Sequence, residues 1–256
     1  MEVSRQPHQC CRCTMKGVIL AGGKGTRLAP LTEITNKHLL PVGKEPMLWH
    51  PVKQLISAGI KEIMVITSTE HMGDVVNSLG SGARFGCEFT YRVQETAGGI
   101  AHALSLAEQF ANHHRIVVFL GDNVFERSIA PYVQAFSAQE KGARVLLKEV
   151  GEPQRYGIAA PDEKHIMEIE EKPSLPKSNY AVVGCYMYDS RVFEIIKDVE
   201  PSRRGELEIT SVNNVYINRG ELEYSFVQGR WTDAGTFESL LEANQILLET
   251  ENQVIL

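Results

Sequence analysis

The chain has 256 residues, 43% of them hydrophobic and 23% charged, with a net charge of −6. That length supports one large domain or two small ones sharing a core. The acidic balance argues against general nucleic-acid binding, which wants a basic face, and no apolar run approaches the roughly 20 residues of a membrane span.

The first 14 residues come before any periodic pattern. They hold Cys10, Cys11 and Cys13 with His8, but a zinc site would need a second ligand pair nearby. They lack the long apolar stretch of a signal peptide, and Met15 reads as an alternative start. The expectation is a flexible extension over 1–14, one domain over 15–256, and a cytoplasmic protein.

A short apolar strand over 17–20 breaks into Gly22-Gly23-Lys24-Gly25-Thr26-Arg27. A helix is expected over 47–58, a strand over 62–67, a helix over 72–79 and a strand over 89–93. A helix over 99–110 puts Ile100, Ala103, Leu104, Ala107 and Phe110 on one face, and a strand over 116–120 follows it. This alternation predicts an α/β fold: a Rossmann-like, mostly parallel mixed sheet with helices on both faces. The second half is mixed. Strands are expected over 144–150, 156–160, 165–170, 180–188 and 222–228, with helices over 129–140, 191–197, 210–219 and 237–249. Gly220 stands where a helix C-terminal glycine belongs. In the last helix Phe237, Leu240, Leu241, Leu247 and Leu248 form a docking stripe, for the core or for another subunit.

Three glycines straight after a strand require a tight turn and close approach of the backbone to something, and Lys24 and Arg27 make an anion the natural partner. Neither the P-loop nor the dinucleotide pattern fits, since no Gly-Lys-Ser/Thr closes the loop and the third dinucleotide glycine would be Leu28. A tight turn without ligand is the plain alternative. The strand over 116–120 ends in Gly121-Asp122-Asn123. In an open parallel sheet, ligands bind outside the carboxyl ends of the strands, so Leu20 and Leu120 can end at one crevice. Asp122 is otherwise a helix N-cap or turn former. Asp233 lies in the polar turn of "RWTDAGT", where Thr236 is the candidate N-cap, leaving Asp233 free to join Asp122 in a Mg²⁺ clamp or to be a solvated turn residue. Lys172 follows Glu170 and Glu171 and precedes Pro173, which biases it to an extended backbone. Lys37 follows the glycine loop and can reach a phosphate as a point charge, although alone it reads as solvated. No metalloprotease, serine-hydrolase or Cys–His constellation is present. The stretch "RGELEIT" from Arg204 to Thr210 has no assignment on physical grounds.

In order along the chain stand "GVILAGGKGTRL", "TNKHLLPVGKEPM", "YRVQETAGGIAHAL", "LGDN", "RYGIA", "EEKP", "KSNYAVVGCYMYD", "RGELEIT" and "WTDAGT". This set resembles the sugar nucleotidyltransferases, and within them the thymidylyl branch, over nearly the whole chain from Met15. The resemblance implies a nucleotide-diphospho-sugar transferase fold, with a nucleotide-binding half over about 15–125 and a sugar-phosphate half over about 126–256. The implied reaction joins dTTP to α-D-glucose 1-phosphate, giving dTDP-glucose and pyrophosphate, with Mg²⁺. By the same resemblance Leu20, Gly22, Gly23, Gly25 and Thr26 bind the nucleotide. Arg27 and Lys37 draw charge from the phosphates, and Gln94 with Gly99 reads the base. Asp122 and Asp233 hold the metal, and Lys172 holds the sugar phosphate. Asn123, Tyr156, Gly157, Glu171, Val183 and Gly184 line the sugar side. A homo-oligomer, dimer or tetramer, is also implied.

The chain departs from the family pattern at three places: Ser211 stands for a common aspartate, Val183 for a common threonine, and His38 for a common glutamine. Longer members continue with extra C-terminal helices that help form a regulatory nucleotide site, so the resemblance leaves feedback inhibition of this chain open. A UDP-glucose-forming uridylyltransferase stays open, because Gln94 and Gly99 accept uracil as well as thymine. So does a non-catalytic nucleotide-sugar sensor on the same fold. A dinucleotide-dependent oxidoreductase is disfavoured by the missing third glycine.

Overall fold

Short apolar runs and amphipathic stretches alternate, and each apolar strand must bury both of its faces. The computed structural model describes residues 15–162 and 165–254, so the expected extension over 1–14, with its cysteines, lies outside the described residues. In chain order the elements are β1 (Lys16–Ala21), β2 (Pro41–Val42), β3 (Glu45–Pro46), α1 (Trp49–Ser57), β4 (Glu62–Ser68), α2 (Met72–Leu79) and β5 (Glu88–Gln94). Then come α3 (Ile100–Ser105), α4 (Glu108–Ala111), β6 (Ile116–Leu120), β7 (Asn123–Phe125), α5 (Ala130–Ala138), β8 (Ala143–Glu149), β9 (Gly157–Pro161) and β10 (Ile166–Glu171). The chain continues with β11 (Tyr180–Tyr188), α6 (Val192–Asp198), α7 (Ile209–Asn218), β12 (Leu222–Phe226), β13 (Trp231–Asp233) and α8 (Phe237–Val254).

Nine strands form one sheet in the order β10-β9-β11-β6-β1-β4-β5, with β8 also on β11 and β12 on β8. Strands β6, β1, β4 and β5 are parallel, while β11 runs antiparallel to β6, β8 and β9. The alternation within β1 shows how the layers form. Val18 and Leu20 face a core shared with α3, α4, α6 and α7, and Ile19 and Ala21 face one shared with α1, α2 and α5. Helices therefore cover both faces, as the sequence pattern predicts.

Three expectations change. The helix over 99–110 is split into α3 and α4 by a turn at Leu106–Ala107, although its apolar face stays in register with the core. The α8 stripe is rotated: Leu240, Ala243, Ile246 and Leu247 pack on Leu28, Val42 and Val124, while Phe237, Leu241 and Leu248 point outward. The strands β2, β3, β7 and β13 have no counterpart in the sequence reading, being only two or three residues long. Gly220 does close α7, with φ +65° and its N–H donating to the Ile217 carbonyl at 2.8 Å.

Strand β11 positions the site. Its residues 185–188 pair with β6 and its residues 180–181 with β9. The change of partner leaves a gap in the sheet beside Gly184, at the carboxyl end of β6.

Candidate active site

Leu20 and Leu120 are register partners at the carboxyl ends of β1 and β6, and the Gly121 N–H donates to the Leu20 carbonyl at 2.9 Å. The glycine loop and Asp122 therefore open on one crevice. Gly25 has φ +62°, and a Cβ there would lie 2.9 Å from the Cβ of Lys37. The loop thus folds back on the segment that carries Lys37, whose Nζ lies 2.5 Å from Asp122 Oδ2. Lys37 is not solvated. Nor does Asp122 cap a helix, because β7 follows it directly.

The short pair β7–β13 brings the second aspartate in. Asp233 lies opposite Asn123, and the Ala234 N–H donates to the Asp122 carbonyl at 2.8 Å. Thr236 Oγ1 accepts from the Ser239 N–H at 3.3 Å and so caps α8, which leaves Asp233 to face the crevice. Asn123 orders the neighbourhood. Its Nδ2 donates to Asp122 Oδ1, and its Oδ1 accepts from the Gly184 N–H and the Trp231 indole, all at 2.9 Å.

The two carboxylates differ electrostatically. Burial opposes ionisation of Asp122, but the Lys37 ammonium, the electrostatic effect of His38 and the hydrogen bonds from Lys37 and Asn123 together outweigh it and hold the carboxyl well below the usual range. Burial, and then the charge of Asp122, push Asp233 upward. Tyr156 OH donates to Asp233 Oδ1 at 3.2 Å, and Arg155 Nη2 lies 3.4 Å from the same oxygen. Among the described residues no cluster of three or more His, Cys, Asp or Glu side chains is arranged to hold a metal. Two oxygen donors sharing one wide cavity suit Mg²⁺, which takes one or two carboxylates and completes its shell with phosphate and water.

The crevice consists of two adjoining cavities, of about 300 Å³ and about 740 Å³. Leu20, Gly22, Gln94 and Gly99 line the smaller one, and Gly25, Thr26, Arg27, Asn123, Tyr156, Gly157, Gly184 and Asp233 the larger. Gly23, Lys37, Asp122, Glu171 and Lys172 line both. Gln94 Nε2 donates to His102 Nδ1 at 3.0 Å, which holds the amide beside Gly22. Gly99 has φ +94°, and a Cβ there would stand 2.6 Å from the Leu207 carbonyl. In the larger cavity Thr210 Oγ1 donates to Glu171 Oε2 at 2.7 Å, and a Cβ on Gly157 would press on both groups.

Two sequence expectations are corrected here. The Val183 side chain is buried in the core with Ile19 and Phe119, and it is Val182 that lines the cavity. Lys172 is not extended: its φ is +47°, an uncommon backbone for a lysine and one that persists only where the surroundings impose it.

Several lining residues were not singled out in advance. "RGELEIT" supplies Arg204, Glu206, Glu208 and Thr210, with Arg204 Nη2 2.8 Å from Glu208 Oε1. Arg155 and Trp231 flank Tyr156 and Asp233 within motifs whose other members were noted. His38 is fully buried, and burial, then Lys37, lower its pKa to about 3. Its Nδ1 donates to Asn36 Oδ1 at 2.8 Å, so a neutral Nε2 is left beside Gly121 in the smaller cavity. An alternating-charge stretch carries no signal that a single sequence can resolve, whereas His38 stood out only as a departure from the family's common glutamine.

Comparison with known proteins places the chain in a family. Residues 16–250 match the family described as nucleotidyl transferase. A glucose-1-phosphate thymidylyltransferase of Neisseria meningitidis is 42% identical over 243 residues, covering 93% of this chain and 84% of the relative. A Bacillus anthracis crystal structure, assigned as a glucose-1-phosphate thymidylyltransferase and solved with a sucrose, has a TM-score of 0.89 and 57% identity over 92% of this chain and 96% of its own. A UDP-glucose pyrophosphorylase in complex with UDP-glucose has a TM-score of 0.81 at 23% identity, over 92% of this chain and 98% of its own, a likeness of fold. Sharing its fold and nearly all of its described length with these proteins, the chain is an enzyme of the nucleotidyl transferase family.

Proposed function

We propose that the chain transfers the thymidylyl group of dTTP to α-D-glucose 1-phosphate, forming dTDP-glucose and pyrophosphate with Mg²⁺. A phosphate oxygen of the sugar phosphate attacks the α-phosphorus, the bond from that phosphorus to the bridging oxygen breaks, and pyrophosphate leaves with the electron pair. The attacking oxygen is already ionised near neutral pH, so no general base is needed. The work is positioning and charge stabilisation. The observation that carries the reading is one continuous crevice in which the glycine loop, Arg27, Lys37 and Lys172 surround Asp122 and Asp233.

In this reading the glycine-loop N–H groups and Arg27 take the triphosphate, Lys37 steadies it, and Gln94 with Gly99 meets the pyrimidine. Lys172 holds the sugar phosphate, and Glu171, set by Thr210, accepts from sugar hydroxyls. Asp122 and Asp233 would hold Mg²⁺, whose charge supports the phosphates when bound. A cytoplasmic homo-oligomer, dimer or tetramer, accompanies the reading, and no helix among the described residues is long and apolar enough to cross a membrane.

The test is pyrophosphate release with Mg²⁺ and glucose 1-phosphate, run in parallel with dTTP, UTP, ATP, CTP and GTP. Release with dTTP, weaker with UTP and absent with the purines, is expected. Stronger release with UTP would make the enzyme a uridylyltransferase, since a methyl slot supplies only about 1–3 kcal/mol of discrimination. No release from folded protein would turn the reading to a nucleotide-sugar sensor.

A further inference from the structure

The two carboxylates assigned to the divalent cation are each already paired with a cation of the chain itself. Lys37 Nζ is 2.5 Å from Asp122 Oδ2, and Arg155 Nη2 is 3.4 Å from Asp233 Oδ1. The two pairs are built differently. Lys37 is held against the folded-back glycine loop, and its side chain is only 13% exposed. Arg155 ends a single-turn helix at the cavity rim, is 30% exposed, and also meets Glu152 at 3.0 Å. Its guanidinium lies over the ring of Tyr156, 5.5 Å from the centroid. It lines the larger cavity alongside Arg27 and Asp233, and its planar fork suits a carboxylate and a phosphate equally. Nothing in the reaction itself requires an arginine on a metal carboxylate.

We propose that Arg155 is the resident counter-ion of Asp233. In the nucleotide-free protein it competes with the divalent cation for that carboxylate, and the arriving triphosphate draws it away. This rests on the reading that Asp122 and Asp233 hold the metal. A dication and a guanidinium on one carboxylate repel each other, and burial strengthens the repulsion. The triphosphate supplies the negative charge that lets both stay, with Arg155 turned to phosphate and the metal on Asp233. Metal and triphosphate therefore enter as a coupled pair, and each tightens the other by the same factor. Free Asp233 would otherwise attract metal without substrate.

The experiment is Mn²⁺ binding to the full chain by electron paramagnetic resonance, alone and with a dTTP analogue carrying a methylene between the α- and β-phosphorus. Wild type is expected to bind Mn²⁺ weakly alone and more tightly with the analogue. Arg155→Gln should bind Mn²⁺ alone about fivefold or more tightly than wild type, and gain less from the analogue. Arg155→Lys, which keeps the charge, should stay near wild type. A structural role for Arg155 would weaken Mn²⁺ binding on substitution, never tighten it. Unchanged or weaker Mn²⁺ binding by folded Arg155→Gln overturns the proposal. Asp233→Asn separates the two levels. If it loses Mn²⁺ while Arg155→Gln gains none, the metal reading stands and the counter-ion fails; if it keeps wild-type binding with the analogue present, both fail.

Discussion

Lys37 and Asp122 form a nearly buried ion pair, 2.5 Å apart, that ties the segment after the glycine loop to the carboxyl end of β6. Because burial alone would raise the Asp122 pKa and Lys37, with His38 and Asn123 beside it, reverses that, the ionised carboxylate stabilises the fold above the ordinary carboxylate range. That contribution is lost as pH falls through and below it. Asp122→Asn keeps the shape and one acceptor but leaves Lys37 without its counter-charge, at a cost of up to about 3 kcal/mol. The fold should survive by circular dichroism while turnover falls by about 100-fold or more. Near-normal turnover in the folded variant would remove Asp122 from the metal site.

Thr210 contributes at the other end of the cavity. Its hydroxyl donates to Glu171 Oε2 at 2.7 Å, and on the proposed reading this sets which carboxylate oxygen would meet a sugar hydroxyl. Thr210→Val retains the volume and removes the donor. The KM for glucose 1-phosphate should rise about tenfold or more, in line with the loss of one hydrogen bond to a charged group, about 1.5–3 kcal/mol. The KM for dTTP should hardly move. Equal rises in both constants would show a general disturbance of the crevice and not a sugar-side role.

Two glycines in the site make a matched comparison. A Cβ at Gly184 would stand 2.6 Å from the side-chain amide of Asn123, the group that orients Asp122. A Cβ at Gly23, where φ is +111°, would meet nothing within 4 Å. Gly184→Ala should cost about 1–3 kcal/mol of stability and lower turnover through the displaced Asn123. Gly23→Ala meets no clash, so its cost of about 1–3 kcal/mol should come from the positive φ alone and leave Asn123 in place. Urea titrations and initial rates on both variants decide it, and a silent Gly184→Ala would show that Asn123 is not needed where it stands.

How much of this was legible beforehand depends on the length of the signal. The runs that make β1 and β6 are four or five apolar residues closed by glycine, so the sheet and the crevice at Leu20 and Leu120 follow from periodicity. The joining of Asp122 to Asp233 does not, because β7 and β13 are three residues each and carry no period. Strand β11 fails differently. It is covered on both faces, so its apolar residues run on without alternation, and no periodicity could show that Val182, not the Val183 implied by the resemblance, faces the cavity. Lys172 was misjudged because a local rule about residues before proline gave way to the tertiary hydrogen bond from its N–H to the Tyr156 carbonyl, at 3.0 Å. The motifs named the residues; their partners, Asn123 to Gly184 and Thr210 to Glu171, come from pairings distant in sequence.

Two buried histidines set the acid limit of the fold. His38 and His50 are both held neutral, with pKa values lowered from 6.5 to about 3 and about 4, by burial first and then by Lys37 and Lys53 respectively. His50 accepts the Phe125 N–H on Nε2 at 3.0 Å, a bond that protonation would destroy, and so ties α1 to the strand after Asp122. The unfolded chain takes up protons below about pH 6.5, whereas the folded one takes none at these two sites until far lower. Stability from this source is therefore complete above that pH and falls as the solution is acidified. Each histidine costs up to about 1.4 kcal/mol per pH unit, or about 2 kcal/mol at pH 5. Urea titrations at pH 7.5 and pH 5 should show the loss, and His50→Gln, whose amide oxygen can still accept, should lose about half as much. Equal stability of wild type at the two pH values would mean that neither imidazole is held neutral by the fold.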